Sequence, residues 1–224
     1  MTFTWRSERV MKLFNYFRSS SSYRVRIACN LKGLPYEYSP VHLNRDGGEQ
    51  FGSTFSALNP QQLVPVLEDG GIHIAQSMAI LEYLEERYPE IPLLPPDEAG
   101  RAQVRQIAQY IACEMHPLNN LRVLKFLSGP LGLSEDQKQR WIVHWLEAGL
   151  AALEAELGHA PNRGAFCYGD APTLADCCLV PQLFNARRFG VDMKAYPTLH
   201  AIERRCEELD AFKRAHPSLQ PDSE

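Results

Sequence analysis

The spacing of apolar and polar residues changes once along the chain. In the first part, short runs typical of strands alternate with stretches of helical spacing, and glycine and proline separate them. This order predicts strands over residues 12–17, 36–43, 64–67 and 72–75, and helices over residues 77–88 and around Val25, Ala28 and Cys29, the latter stopping at Gly33. Gly70 and Gly71 predict a hairpin between the last two strands. The pattern is that of a small α/β unit.

Residues 89–96 separate this part from the rest, because four prolines in eight residues do not continue a helix. Beyond them the apolar spacing stays helical, with stripes over residues 101–127 and 141–157 and a final helix over residues 197–209 followed by a polar tail. Thr173 and Asp176 have the spacing of a capping box, which predicts a helix start. Pro181 lies inside that helix and should bend it. The second part is therefore expected to be all helical.

Composition excludes several function classes. The formal net charge of -4 disfavours nonspecific nucleic-acid binding, which needs a basic surface. No apolar run is long enough for a membrane span, so we expect a soluble cytoplasmic protein that does not bind membranes. The six cysteines form no C-x-x-C pair and no zinc-binding spacing, so they are expected to be buried and reduced, and no metal site is expected. Residues 1–10 have no clear period and are left out of the fold prediction.

Four consecutive serines, residues 19–22, lie between the first predicted strand and helix. Hydroxyls at a helix N-terminus can donate hydrogen bonds to an anion held over the exposed amides, such as a thiolate or a carboxylate. Arg18 and Arg24 flank the run, and their permanent charge favours an anionic ligand. An ordinary serine-capped helix explains the same residues.

Three other segments bear on chemistry. A cis Val64–Pro65 bond would turn the Val64 backbone toward an extended peptide-like ligand, although a trans strand start is the commoner case. Gln76 and Ser77 open a helix and suit a carboxylate, but a simple N-cap explains Ser77 as well. Residues 116–122 interrupt an apolar helix with polar side chains, which could bring Asn120 and Arg122 toward the mouth of the α/β unit. A proline kink explains the same interruption. Arg187 and Arg188 end the helix that contains Pro181, where cations are ordinary.

Five segments together resemble one family. Residues 16–38, 57–71, 76–89, 116–127 and 169–192 look like the motifs of zeta-class glutathione transferases, in family order, and the resemblance extends from residue 11 to about residue 223. It implies the glutathione transferase architecture: an α/β thioredoxin-like glutathione-binding domain over residues 11–90 and an all-α domain over residues 98–216 that contributes to the substrate site. It also implies a cis Val64–Pro65 bond and a homodimer.

The resemblance assigns site residues by matching position. The catalytic contacts to the sulfur of glutathione would come from Ser19 and Ser20. The remaining glutathione contacts would come from Ser21, Gln50, Val64, Gln76, Ser77, His116 and Asn120, the last two from the helical domain or the partner subunit. Arg18, Arg122 and Arg188 are the candidates for binding two substrate carboxylates. The family motif is often S-S-C, whereas this chain has Ser21 in place of the cysteine, so the nucleophile should come from glutathione.

The implied activity is glutathione-dependent cis–trans isomerisation of a maleyl keto-dicarboxylate to its fumaryl isomer in aromatic compound catabolism, with maleylacetoacetate favoured as substrate. Such a reaction needs temporary single-bond character in a conjugated alkene, which a soft nucleophile adding beta to a ketone provides. The alternatives are a maleylpyruvate isomerase of the gentisate route, a general glutathione transferase or dehalogenase, and a noncatalytic regulatory binding protein of the same fold. A glutaredoxin-type redox protein is disfavoured, because it would need a cysteine at the serine turn.

Overall fold

The computed structural model describes residues 10–224, and the first nine residues, part of the segment left out of the fold prediction, lie outside it. The described chain forms two compact units. The first contains the residues up to Ile91 together with Arg214–Glu224, and the second contains Pro92–Lys213.

A mixed four-stranded sheet forms the centre of the first unit. Its strands are β1 (Met11–Asn15), β2 (Tyr36–Pro40), β3 (Val66–Asp69) and β4 (Ile72–Ala75), in the order β2-β1-β3-β4. β2 runs parallel to β1, whereas β3 and β4 form the predicted antiparallel hairpin. Gly70 and Gly71 occupy its turn with φ of 58° and 93°, a region that glycine enters without strain.

The first two strands are shorter than their apolar patterns predict. β1 stops at Asn15 because the chain turns there, and the Ser19 N–H donates to the Tyr16 carbonyl at 3.0 Å. β2 stops at Pro40, and the Val41 N–H makes a last hydrogen bond to the Asn15 carbonyl at 2.8 Å. Both strand ends therefore lead directly into loops.

Three helices complete the part of the first unit that precedes Ile91: α1 (Ser20–Leu31), α2 (Ser53–Leu58) and α3 (Ser77–Arg87). The predicted α1 and α3 are confirmed, with Val25, Ala28 and Cys29 fully buried and a positive φ at Gly33 just beyond α1. A buried ion pair joins the two helices, in which Lys32 Nζ lies 2.7 Å from a Glu85 carboxylate oxygen. The same ammonium donates to the carbonyl of Tyr88, so it fixes the end of α1 against the end of α3.

The second unit is all helical, as expected. Its helices are α4 (Glu98–Gln109), α5 (Leu121–Ser128), α6 (Glu135–His159), α7 (Leu174–Arg188) and α8 (Pro197–Glu207), and α9 (Asp210–Ala215) begins in it. The stripe over residues 101–127 does not form one helix. It is broken by a π-helical turn at Tyr110–Met115 and a 3₁₀ turn at His116–Asn119, where Pro117 lacks the N–H that a continuous helix would use.

The start of α7 is held by a buried carboxylate. Asp176 accepts hydrogen bonds from the Thr173 N–H and hydroxyl, both at 2.8 Å, and from the Cys167 N–H at 2.9 Å. Burial raises the pKa of Asp176 in spite of these donors. The predicted helix start and the proline inside the helix are both confirmed.

Two expectations about this part of the chain need correction. Five of the six cysteines are buried, but Cys113 is exposed on the π-helical turn, where the helical face shifts by one residue. The polar tail expected after the last helix instead forms α9 and a 3₁₀ turn at Pro217–Leu219, and residues from Arg214 onward belong to the first unit. Within residues 10–224, no group of three ligating side chains could hold a metal ion, and no helix has the length and apolar character to cross a membrane.

Candidate active site

The predicted site residues of the first unit come from one edge of the sheet. Phe14 pairs with Ser39 and Val66, and Val66 pairs with Ala75, so these four residues form a row across all four strands. β1 and β2 end one residue beyond this row, β4 ends in it and β3 begins in it. The serine turn, the loop after β2, the Val64 segment and the start of α3 therefore all lie at the same edge of the sheet.

One hydrophobic cluster holds these segments together beneath the edge. Tyr16 and Phe17 from the turn, Val41 from the loop, Phe55 from α2 and Val64 are all buried in it, and Ala75 packs against it immediately before Gln76. Apolar packing of this kind fixes backbone positions to within the tolerance of a close-packed core. The structure therefore brings Ser19, Gln50, Val64 and Gln76 to one region of the first unit.

The four serines have different environments. Ser19 is the N-cap of α1, and its hydroxyl accepts a hydrogen bond from the Ser22 N–H at 3.2 Å. A hydroxyl that accepts one hydrogen bond still has its own proton to donate. Ser20 is buried, Ser21 is half-buried and Ser22 is fully buried. The Ser22 hydroxyl oxygen accepts a hydrogen bond from the Tyr16 N–H at 3.4 Å. The anion site and the serine cap are therefore compatible, since Ser19 serves as a cap and retains a donor.

The two arginines that flank the serines also differ. Arg18 lies over the rings of Tyr16 and Phe17 and donates to the Tyr16 hydroxyl at 3.1 Å. Arg24 does not reach the surface as its position beside the serines suggested, because it lies on the inward face of α1 and is 2% exposed. Its guanidinium donates to the Ser77 hydroxyl at 3.1 Å, so it contacts the start of α3.

The Val64–Pro65 peptide bond is cis, as the resemblance implies. The Val64 side chain is buried, whereas neither its N–H nor its C=O bonds to another residue of the described chain. An unpaired backbone segment beside a sheet edge can form hydrogen bonds with an added peptide strand. Val64 is therefore suited to hold a peptide-like ligand through its main chain.

Gln50 supplies a second open polar group. Its side chain is 4% exposed, and its Oε1 atom has no hydrogen-bond partner among residues 10–224. Gly48 makes room for this amide: its φ is +120°, and a Cβ there would lie 2.7 Å from Gln50 Nε2. A buried acceptor without a partner costs free energy unless a ligand or water satisfies it, and a peptide N–H fits this requirement.

At the start of α3, the structure corrects one alternative. Ser77 is not the N-cap but the first helical residue, and Gln76 precedes it with a φ of +73°, which is uncommon for a residue with a side chain. Gln76 Nε2 donates to Gln61 Oε1 at 2.5 Å. Backbone strain at a ligand site is a frequent functional feature, and here it lies beside the amides of a helix N-terminus.

His116, Asn120 and Arg122 lie in the second unit around a break in the helices. Asn120 is the N-cap of α5, and its Oδ1 accepts from the Arg122 N–H at 3.1 Å. His116 opens the 3₁₀ turn that precedes it, and Arg122 is exposed. The kink that Pro117 suggested is present, and the ligand roles of the three side chains stay predictions.

The adjacent arginines at the end of α7 have separate roles. Arg187 forms an ion pair with Glu203, a carboxylate that is 1% exposed, and is therefore structural. Arg188 is exposed, lies 4.6 Å from the centre of the Phe189 ring and donates to Asn185 Oδ1 at 3.0 Å. Both arginines are exposed, and Arg187 is held by the buried Glu203 carboxylate.

Two contributions to the site were not foreseen from the sequence. One is the bond from Arg24 to Ser77, and the other is Asp222, which accepts a hydrogen bond from the Phe17 N–H at 3.1 Å. No local pattern signals either contact, because the partners are 53 and 205 residues apart in the chain.

Comparisons with known proteins agree with this geometry. Residues 18–87 match the family "Glutathione S-transferase, N-terminal domain", and residues 135–219 match "Glutathione S-transferase, C-terminal domain". The maleylacetoacetate isomerase of Pseudomonas aeruginosa is 49% identical over 95% of this chain and 99% of its own length. A maleylpyruvate isomerase structure, described as a bacterial zeta-class glutathione S-transferase, is 51% identical with a TM-score of 0.92, covering 95% of this chain and 100% of that one.

A second solved structure was determined with ligands. The maleylacetoacetate isomerase of Methylobacterium extorquens AM1, with bound malonate and glutathione, is 42% identical to this chain, with a TM-score of 0.91 over 95% of this chain and 99% of that one. Its fold and the two family matches agree with the thioredoxin-like and helical architecture implied by the motifs. The chain therefore belongs to the glutathione S-transferase family, in its zeta class.

Proposed function

We propose that this protein is a glutathione-dependent cis–trans isomerase that converts a maleyl keto-dicarboxylate to its fumaryl isomer, with maleylacetoacetate as the favoured substrate. The observation that carries the proposal is the sheet edge where the Ser19 hydroxyl, the open Val64 backbone and the unpartnered Gln50 acceptor come together. The reaction type is supported by relatives that match this chain over nearly their full length and are named maleylacetoacetate or maleylpyruvate isomerases.

The residues at this edge fit a γ-glutamyl tripeptide. The Val64 main chain would form hydrogen bonds with the tripeptide backbone, and Gln50 Oε1 would accept one of the tripeptide N–H groups. Gln76 and Ser77 would hold the carboxylate of the γ-glutamyl end. When bound, glutathione supplies the thiolate that gives the substrate double bond temporary single-bond character. The Ser19 hydroxyl would donate to the sulfur, and Ser20 and Ser21 would contribute at the same helix N-terminus, where the macrodipole favours negative charge. We also propose that His116 and Asn120 contact glutathione, either from the helical domain of the same chain or from the partner subunit.

The substrate carboxylates call for fixed cations. Arg18, Arg122 and Arg188 are our candidates, because a guanidinium binds a carboxylate in a bidentate manner and stays charged at any working pH. A cation held near the ketone would also stabilise the negative charge that develops on its oxygen. We further propose that the enzyme acts as a cytoplasmic homodimer in aromatic compound catabolism.

The test is an ultraviolet assay of both maleyl substrates with and without glutathione. We expect isomerisation of at least one of them, complete dependence on glutathione, and recovery of unchanged glutathione. Conjugation of electrophiles without isomerisation would favour the transferase or dehalogenase alternative. Failure to act on any substrate, with intact folding, would favour the regulatory binding protein.

A further inference from the structure

Residues 214–224 return to the first unit and attach to its ligand-binding edge at several points. Asp222 accepts from the Phe17 N–H at 3.1 Å and from the Tyr38 hydroxyl, in a second hydrogen bond. Glu224 Oε1 lies 2.8 Å from Nε2 of His42, which is in the loop that leads to Gln50. These attachments connect the end of the described chain to both sides of the site.

The Asp222 contact fits the geometry of the serine turn. The Ser19 N–H donates to the Tyr16 carbonyl, so Phe17 and Arg18 are the central residues of a β-turn. The N–H of the first central residue cannot bond within such a turn, and here Asp222 satisfies it. The Phe17 carbonyl in turn accepts from buried Arg26 at 2.8 Å. Both main-chain polar groups of Phe17, two residues before Ser19, are therefore held by hydrogen bonds.

The rest of this segment is shaped to place the carboxylate. Arg26 Nε donates to the Ala215 carbonyl at 3.1 Å, which links the segment to the same guanidinium that holds the turn. The buried amide of Gln220 donates to the Arg214 carbonyl at 2.9 Å and folds the chain back. Burial and the bond to Asp222 raise the pKa of the Tyr38 phenol, so this hydroxyl stays a donor.

We propose that Asp222 is a positioning residue for the sulfur end of the glutathione site, because it fixes the turn that presents the Ser19 hydroxyl. This inference rests on the proposed placement of the glutathione sulfur at Ser19. Asp222 itself need not touch glutathione. Its effect passes through the Phe17 peptide to the N-cap residue two positions later.

The experiment compares Asp222→Ala, Asp222→Asn and the full-length wild type. Each protein is titrated with glutathione, and the ultraviolet absorbance of the bound thiolate is followed against pH. We expect Asp222→Ala to weaken glutathione binding about tenfold and to raise the pH at which the bound thiolate forms, since the Phe17 N–H loses its acceptor and the turn before Ser19 is no longer held. Asparagine keeps an acceptor, so Asp222→Asn should recover most of both properties.

Two further variants separate positioning from general destabilisation. Asp210→Ala removes an exposed carboxylate at the start of α9 and should leave binding and the thiolate profile unchanged. Tyr38→Phe removes the hydrogen bond to one Asp222 oxygen and leaves the turn itself unchanged. We expect it to raise the pH of thiolate formation by less than Asp222→Ala does. This shift can be measured even if Asp222→Ala does not fold.

A double-mutant cycle with Ser19→Gly gives the decisive result. If Asp222 acts through the turn that carries Ser19, the two effects on thiolate formation will be clearly less than additive. Additive effects, or an Asp222→Ala protein with the wild-type thiolate profile, would overturn the inference. If the inference is overturned but the wild type still binds glutathione as a thiolate and Ser19→Gly abolishes that thiolate, the proposed function still holds. If the wild type forms no bound thiolate, the proposed function itself fails.

Discussion

Ser19 has two roles in the structure, and substitutions can separate them. Its oxygen accepts the Ser22 N–H at 3.2 Å as the N-cap of α1, and its proton is available to a bound sulfur. Ser19→Ala removes both interactions. Ser19→Gly removes the same hydroxyl, but glycine is tolerated as an N-cap, so this variant isolates the effect on the ligand.

The two losses differ in magnitude. Losing the cap should lower the free energy of unfolding by about 1 kcal/mol for alanine and by a few tenths for glycine. A hydrogen bond to an ionised sulfur contributes roughly 1.5–3 kcal/mol. At about 1.36 kcal/mol for each pKa unit, its loss should raise the pKa of the bound glutathione thiol by about one to two units. Turnover at neutral pH should then fall about tenfold to a hundredfold in both variants.

Three measurements check this prediction. Ultraviolet absorbance against pH reports the bound thiolate, steady-state kinetics gives turnover and the KM for glutathione, and urea denaturation gives stability. Ser134→Ala is the matched control, because Ser134 caps α6 in the same manner through the Gln137 N–H and lies in the second unit. It should lose stability but no activity. Unchanged turnover in both Ser19 variants would refute the assignment of Ser19 to the sulfur.

Four further predictions follow from individual side chains. Arg188→Ala should raise the KM for the maleyl dicarboxylate about tenfold, as expected for losing a charged hydrogen bond, but spare conjugation of a neutral electrophile. Equal losses in the two assays would indicate a structural arginine. Asp176→Ala leaves three buried donors without an acceptor and should lower the free energy of unfolding in urea by about 3–5 kcal/mol, so a loss below about 1 kcal/mol would contradict this account. Iodoacetamide should label Cys113 alone in the native protein, as read by peptide mass spectrometry, because burial raises the pKa of the Cys29 thiol to about 12; labelling of Cys29 would show that α1 opens. Burial and a hydrogen bond to Asp69 raise the pKa of Tyr88 to about 12, above its ordinary value near 10. The protonated Tyr88 hydroxyl therefore contributes to stability below about pH 10, and this contribution is lost as the pH rises toward 12. Tyr88→Phe should flatten the pH dependence of the urea midpoint between these two pH values.

The sequence was sufficient for features that depend on neighbouring residues. The apolar spacing located α1, α3 and α6, and the glycine pair at Gly70 and Gly71 located the hairpin, because both signals lie within a few neighbouring residues. The capping box at Thr173 and the stop at Gly33 are equally local. The motif order identified the family, and with it the cis Val64–Pro65 bond, which the residues alone left open.

Tertiary structure decided what each polar residue of the site does. Four identical serines became one cap with a spare donor, one half-buried serine and two buried serines, because the direction of each side chain depends on what packs against α1. Arg24 points inward to Ser77 for the same reason. The polar segment beyond α8 returned to the first unit, where Asp222 meets a peptide N–H that lies 205 residues earlier in the chain. Periodicity along a sequence carries no information about such a partner, since the contact exists only once the sheet, α1 and the final segment have packed together.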